Sequence, residues 1–391
     1  VLGPLRFGGW EMSGYDVIVV GVGGMGSATV AELAARGARV LGLDRSSIPN
    51  DQGSSHGVNR IIRLAYAEDP RYVPLLRRAY ERWHQLEARL GETILVTTGG
   101  LDMGLPDSPT VMGALASARE HDLEHELLKA GEIHARYPAL ELPDDLVGVF
   151  QPDGGFVLSE RAIAGHARLA LEAGAELHGH EPVTGWEAVG DGVVVRTAMG
   201  EYRARRLIIS AGAWVGKLVA RLAQVAVPER RVLLWAGTRR PELFTPQALP
   251  IFILDVEEGL FYGFPEYGIP GLKIGEMHQQ SRTVDPEDWD RSRIEPGDEP
   301  LLRSALARYL PQANGPALSL KTCMFTMTPD EHFIIDTLPE MPQAVVVSPC
   351  SGHGFKFSAV VGEIAADLAL DGATSYDISM FSIDRFKEVP A

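Results

Sequence analysis

The chain has 391 residues, of which 45% are hydrophobic and 23% charged, with a formal net charge of −16. That length exceeds one ordinary core, so two domains are expected. The acidic balance excludes nucleic acid and anionic membrane as main partners, because both need a basic face, yet a local basic pocket for a small anionic substrate survives in an acidic protein. Two cysteines make no disulfide framework, so the cytoplasm is the expected compartment, and no apolar run is long enough to span a membrane. Residues 1–13 lack an apolar signal core and read as a tail.

The first element in chain order is the apolar run Tyr15-Asp16-Val17-Ile18-Val19-Val20, read as a buried parallel strand. Gly21-Val22-Gly23-Gly24-Met25-Gly26 comes next and satisfies G-x-G-x-x-G. A helix is predicted over 27–36 and a second strand over 39–43, ending in Asp44. Gly21 permits the tight turn, Gly23 lets backbone N–H groups approach a pyrophosphate, and Gly26 lets helix and strand pack closely. The phosphates would sit on the positive helix end, with Asp44 accepting from a ribose diol. The unit reads as dinucleotide binding and does not by itself separate NAD from FAD. The next segment is unlike a simple dehydrogenase, since a loop over 46–57 and Asn59-Arg60-Ile61-Ile62-Arg63-Leu64-Ala65-Tyr66 precede an amphipathic helix over 72–90.

Short strands are predicted over 95–104, helices over 111–121 and 132–137, and a helix over 160–172 capped by Ser159 and closed by Gly174. Strands with a Gly190-Asp191-Gly192 turn lead to Leu207-Ile208-Ile209-Ser210 and a second glycine turn, Ala211-Gly212-Ala213-Trp214. Residues 228–326 read as an antiparallel sheet interrupted by one helix over 299–310. Near the C-terminus a thiol at Cys323, the glycine loop Ser351-Gly352-His353-Gly354 and Lys356 lie close in sequence. The expected fold is mixed α/β. It comprises a Rossmann-like dinucleotide-binding domain over 14–92, 150–225 and 327–391, and an antiparallel-sheet substrate domain over 93–149 and 226–326.

The motifs GVGGMG, SSHGVNRIIRLAY, ISAGAW, FYGFPEYGIPGLKIG, KTCMFTMTPDEHFIID and SGHGFKFS, in that order, resemble the monomeric sarcosine oxidase / N-methyltryptophan oxidase family of FAD-dependent amine oxidases. The similarity runs from about Tyr15 to about Phe386. It implies FAD as cofactor, a small secondary amino acid and dioxygen as reactants, a monomer and no metal. The implied reaction oxidises the N-methyl C–N bond to an imine that hydrolyses to the amino acid and formaldehyde, while dioxygen becomes hydrogen peroxide. An oxidase or dehydrogenase of another secondary amine or imino acid is the alternative, with an NAD dehydrogenase or a non-catalytic flavin-binding protein behind it.

By the same resemblance Cys323 aligns with a cysteine that tethers the flavin, whereas Cys350 reads as a buried structural thiol. Arg63 and Lys356 resemble a pair gripping the substrate carboxylate, and a salt bridge to an acidic side chain fits Arg63 as well. Lys273 resembles a lysine that activates dioxygen, where the alternative is an exposed residue of a strand. Arg60 and His56 match positions near the flavin, and His353 lies in a loop whose N–H groups face it. Tyr262 matches a pocket residue. Ile253, Met277 and Phe325 stand where sarcosine-specific members commonly have Met, His and Tyr, so a more apolar pocket is expected.

Overall fold

In the computed structural model, which describes residues 14–278 and 282–387, the strand Tyr15–Val20 turns into the helix Gly24–Ala35 and returns as the strand Val40–Leu43. The tail predicted over 1–13 lies outside the described residues. Tyr15–Val20 pairs in parallel with Val40–Leu43 on one side and with Gly200–Ile209 on the other. Its run is apolar without alternation because both faces are covered. Val17 and Val19 pack under the helices Gly24–Ala35, Ser159–Glu172 and Ser358–Leu370, while Ile18 and Val20 pack against Val193, Val195 and Leu222. Strands from 176–209 and 334–348 complete eight in this sheet.

A second eight-stranded sheet has the order Ala317–Met327, Val227–Ala236, Leu272–Glu276, Gly259–Phe264, Ile251–Val256, Gly100–Gly104, Val147–Gln151 and Glu126–Lys129. It is antiparallel as expected except that Ile251–Val256 lies parallel to Gly100–Gly104. Parallel neighbours need a long crossover, which the intervening chain supplies, and local sequence carries no sign of such a pairing. The helix Asp298–Tyr309 covers one face, with Leu302, Ala305 and Leu306 in the same core as Leu234, Phe252, Phe261, Leu272 and Ile274. Strand alternation therefore sends Leu233, Ile253, Tyr262 and Lys273 to the opposite face. A small sheet of Asn59–Ile62, Gly155–Leu158 and Leu95–Thr97 carries Arg60 beside that face.

One local expectation needs correction. Ser159 is the first residue of its helix rather than its cap, and its hydroxyl donates to Glu160 Oε2 at 2.7 Å. The carboxylate of Glu160 accepts from Gly57 N at 2.7 Å and Val58 N at 3.1 Å, so it holds a turn in which both residues have positive φ, 89° and 77°. Lys356 lies in a short 3-10 turn, Phe355–Phe357, that precedes the helix Ser358–Leu370.

Candidate active site

The glycine turn opens on a cavity of about 600 Å³ that Asp44, Ser210 to Trp214, Ser348 to Cys350, Gly352 and Gly354 also line. Gly21 has φ +91°, and a Cβ on Gly26 would lie 1.8 Å from Gly21 O, so strand and helix touch there without side chains between them. A Cβ on Gly23 would meet nothing within 4 Å, which leaves backbone N–H groups open to the cavity. Asp44 is buried and accepts from Val22 N and Ser46 N, each at 2.8 Å, while burial pushes its carboxyl up. The predicted ribose acceptor thus also braces the turn.

A second cavity of about 530 Å³ lies against the face of the second sheet that the helix Asp298–Tyr309 does not cover. Arg60, Phe325, Gly352 and Phe355 line both cavities, so the two meet there. Ile253, Tyr262, Met277 and Phe325 give the second cavity an apolar wall, and Arg63, Lys273 and Lys356 give it cations.

Arg63 and Lys356 are both 4% exposed. Arg63 is paired, as its alternative reading expected: Nε donates to Asp102 Oδ2 at 3.2 Å and Nη2 to Glu68 Oε2 at 3.0 Å. Lys356 Nζ instead donates to His353 O at 2.7 Å and Tyr66 Oη at 3.3 Å. Burial brings Lys356 down to about 7, against the pull of Glu68.

Lys273 is 2% exposed, which removes the reading of a solvated strand residue. Its Nζ donates to Gly57 O at 2.8 Å, Asn59 O at 3.0 Å and Asn59 Oδ1 at 2.8 Å. Burial pulls its pKa well below the usual value, and Arg60 adds to the pull. The three oxygens act the other way, because a neutral amine has two N–H bonds and would turn its lone pair on the third acceptor.

Arg60 donates to Asn59 O at 2.8 Å and Ser54 O at 2.6 Å, both backbone carbonyls, and so keeps its positive charge facing the cavities. His56 is buried, and among the described residues its Nε2 has no partner. Burial raises the Cys323 thiol, but His56 beside it, then Arg60 and Lys273, outweigh burial and bring it down to about 7. Burial pushes the Cys350 thiol up instead. The two thiols are thus shifted in opposite directions.

In the C-terminal loop Gly352 has φ +80°, and a Cβ there would lie 2.6 Å from the Phe325 ring, while a Cβ on Gly354 would lie 2.1 Å from Pro349 O. The His353 ring is committed within the protein, accepting at Nδ1 from Tyr66 Oη at 2.5 Å and donating from Nε2 to Glu331 O at 2.9 Å. Burial holds it down to about 4, so it stays neutral. Its side chain fixes the loop, and the loop's backbone is what reaches the cavity.

Sequence reading missed Asn59, Glu68, Asp102 and Glu160. Asp102 carried a signal, as an acid inside the otherwise apolar Gly-Leu-Asp-Met-Gly strand, all of which is buried. The residues present fit a dinucleotide flavin: an open glycine turn, an acid beside it, an unpartnered buried imidazole nitrogen, and a lowered thiol in the lining of the second cavity. Among the described residues no cluster of metal-ligating side chains occurs. No helix among them is long and apolar enough to cross a membrane.

Comparison with known proteins agrees with this geometry. The family model described as FAD dependent oxidoreductase matches residues 16–368. A monomeric sarcosine oxidase of Streptomyces avermitilis is 44% identical over 383 residues, covering 96% of this chain and 99% of that one. An N-methyl-L-tryptophan oxidase of Citrobacter koseri is 38% identical, covering 96% and 100%. The solved structure of NikD, an unusual amino acid oxidase essential for nikkomycin biosynthesis, superposes with a TM-score of 0.82 at 28% identity, covering 95% and 98%.

Proposed function

The chain belongs to the FAD dependent oxidoreductase family, beside its sarcosine and N-methyltryptophan oxidases, and on that footing we propose that it oxidises N-alkyl α-amino acids at the C–N bond. The observation that carries this reading is the second cavity, which meets the nucleotide cavity and combines the buried Arg63, Lys273 and Lys356 with an apolar wall. When bound, FAD takes two electrons from the substrate C–N bond and passes them to dioxygen, which leaves as hydrogen peroxide. The glycine turn 21–26 would hold its pyrophosphate and Asp44 its ribose. Arg60 would balance negative charge beside the ring. Arg63 and Lys356 would hold the substrate carboxylate, and Lys273 would stabilise charge developing on dioxygen. We infer the nucleotide-binding unit to be 14–92, 150–225 and 327–391, with 93–149 and 226–326 as the substrate unit. The partition of strands between the two large sheets supports this division.

Ile253, Met277 and Phe325 bring no strong side-chain hydrogen-bonding group to the pocket wall, which keeps the phenol of Tyr262, so it rewards apolar bulk. Each additional methylene buried there contributes about 0.8 kcal/mol, roughly fourfold in kcat/KM. N-methyl derivatives of larger apolar amino acids are therefore expected to be oxidised at least as efficiently as sarcosine, measured by peroxide release. A clear preference for sarcosine would exclude the apolar-pocket reading, and a protein without flavin absorbance would exclude the oxidase.

We further propose that Cys323 carries the flavin through a thioether. Its thiol, brought down to about 7, is partly ionised at neutral pH, and only the thiolate is a useful nucleophile. Acid precipitation of the purified enzyme is expected to leave flavin in the pellet, and Cys323→Ser to release it to the supernatant. Release from the unaltered enzyme would refute the attachment.

A further inference from the structure

Asp102 is a wholly buried acid whose position the reaction itself does not explain. Its side chain has 0% exposure, Oδ2 accepts from Arg63 Nε and from Gln151 Nε2, each at 3.2 Å, and among the described residues Oδ1 has no partner. Arg63 and Glu68 line the second cavity and Asp102 does not, so Asp102 stands behind the guanidinium. Gln151 ties the arrangement together, because its Oε1 accepts from Leu64 N and Ala65 N, each at 2.9 Å, directly after Arg63. One amide thus fixes both the backbone that presents Arg63 and the carboxylate that holds its side chain. Glu68 differs, being 28% exposed at the cavity wall, where a ligand can displace it.

Retaining a buried carboxylate is costly unless it does something that an apolar residue cannot. Burial brings this one up to about 6, with Arg63 opposing the rise and Glu68 adding to it. A guanidinium is a planar fork with distinct edges, and only one of them can meet a given carboxylate in bidentate fashion. Contact at Nε blocks the side-on edge. The end-on pair is then Nη1 and Nη2, and Glu68 can be displaced from Nη2. We propose that Asp102 is a positioning residue that fixes Arg63 with its end-on edge towards the substrate carboxylate. This rests on the reading that Arg63 receives that carboxylate.

The test compares Asp102→Asn, which keeps an oxygen for Nε, with Asp102→Leu, which removes it at similar volume. The probe is methoxyacetate, the ether analogue of sarcosine with no nitrogen to oxidise, titrated by its perturbation of flavin absorbance in the holoenzyme. For Asp102→Leu the methoxyacetate Kd and the amino acid KM are expected to rise by about tenfold or more, with kcat within about threefold. Asp102→Asn is expected to stay within about threefold in Kd and KM, because the acceptor is restored. Equal losses in kcat and KM, or a Kd unmoved in Asp102→Leu, would overturn the positioning role while leaving the carboxylate site intact. Failure of the unaltered enzyme to bind methoxyacetate would overturn both. If Asp102→Leu does not retain flavin, Asp102→Ala gives the same comparison with the acceptor removed, and the same outcomes decide.

Discussion

Replacing Lys273 by Met is expected to slow reoxidation of the reduced enzyme by dioxygen by about 100- to 1,000-fold, the usual effect of removing one preorganised charge from a developing anion. Anaerobic reduction by substrate is expected to change by no more than about tenfold, so the loss falls on one half-reaction. The reason lies in how Nζ is held. Its three N–H bonds point at Gly57 O, Asn59 O and Asn59 Oδ1, so it needs no reorganisation when charge appears in the cavity. Its charge is also undiluted, since these contacts are carbonyl oxygens rather than carboxylates. The turn supplying Gly57 O has two residues at positive φ and is held by Glu160, which links a helix start to the lysine through strained backbone. Stopped-flow mixing of the reduced variant with dioxygen decides the matter. Equal slowing of both half-reactions would identify Lys273 as a support for the turn and nothing more.

The nucleotide half was legible because its signals are local. Strand, glycine turn, helix and terminal acid fall within one short stretch, and each residue's task depends on near neighbours. The strand periodicity of the second sheet was also legible, but not its parallel pair, which depends on a partner about 150 residues away. Site residues divide along the same line. Cys323 was separable from Cys350 by motif, and the environments of the two thiols differ in the same direction. Lys273 alternates with apolar neighbours as an exposed strand residue would, and only the fold buries both faces of its strand. Asp102, Glu68 and Asn59 became visible as a set only when three segments converged on Arg63 and Lys273, because a buried charge is understood through its partners.

Lys356 gives the cleanest measure of the carboxylate site, because its Nζ contacts a carbonyl and a hydroxyl, and its removal strands no directly paired acid. Lys356→Met is expected to weaken methoxyacetate binding by roughly 10- to 150-fold, the equivalent of about 1.5–3 kcal/mol for one charge-assisted hydrogen bond. The same lysine predicts a pH dependence. Burial depresses the Lys356 pKa to about 7 in the free enzyme, so the charged form prevails below that pH and is lost above it. A bound carboxylate favours the charged form, so binding takes up a proton and weakens as pH rises past 7, by up to about tenfold per unit. Methoxyacetate has no nitrogen, so the limb belongs to the enzyme rather than to a substrate amine. In Lys356→Met the limb should vanish, leaving a flat Kd between about pH 6 and 9. A limb of equal slope in the variant would assign the titration to another group and remove Lys356 from the carboxylate site.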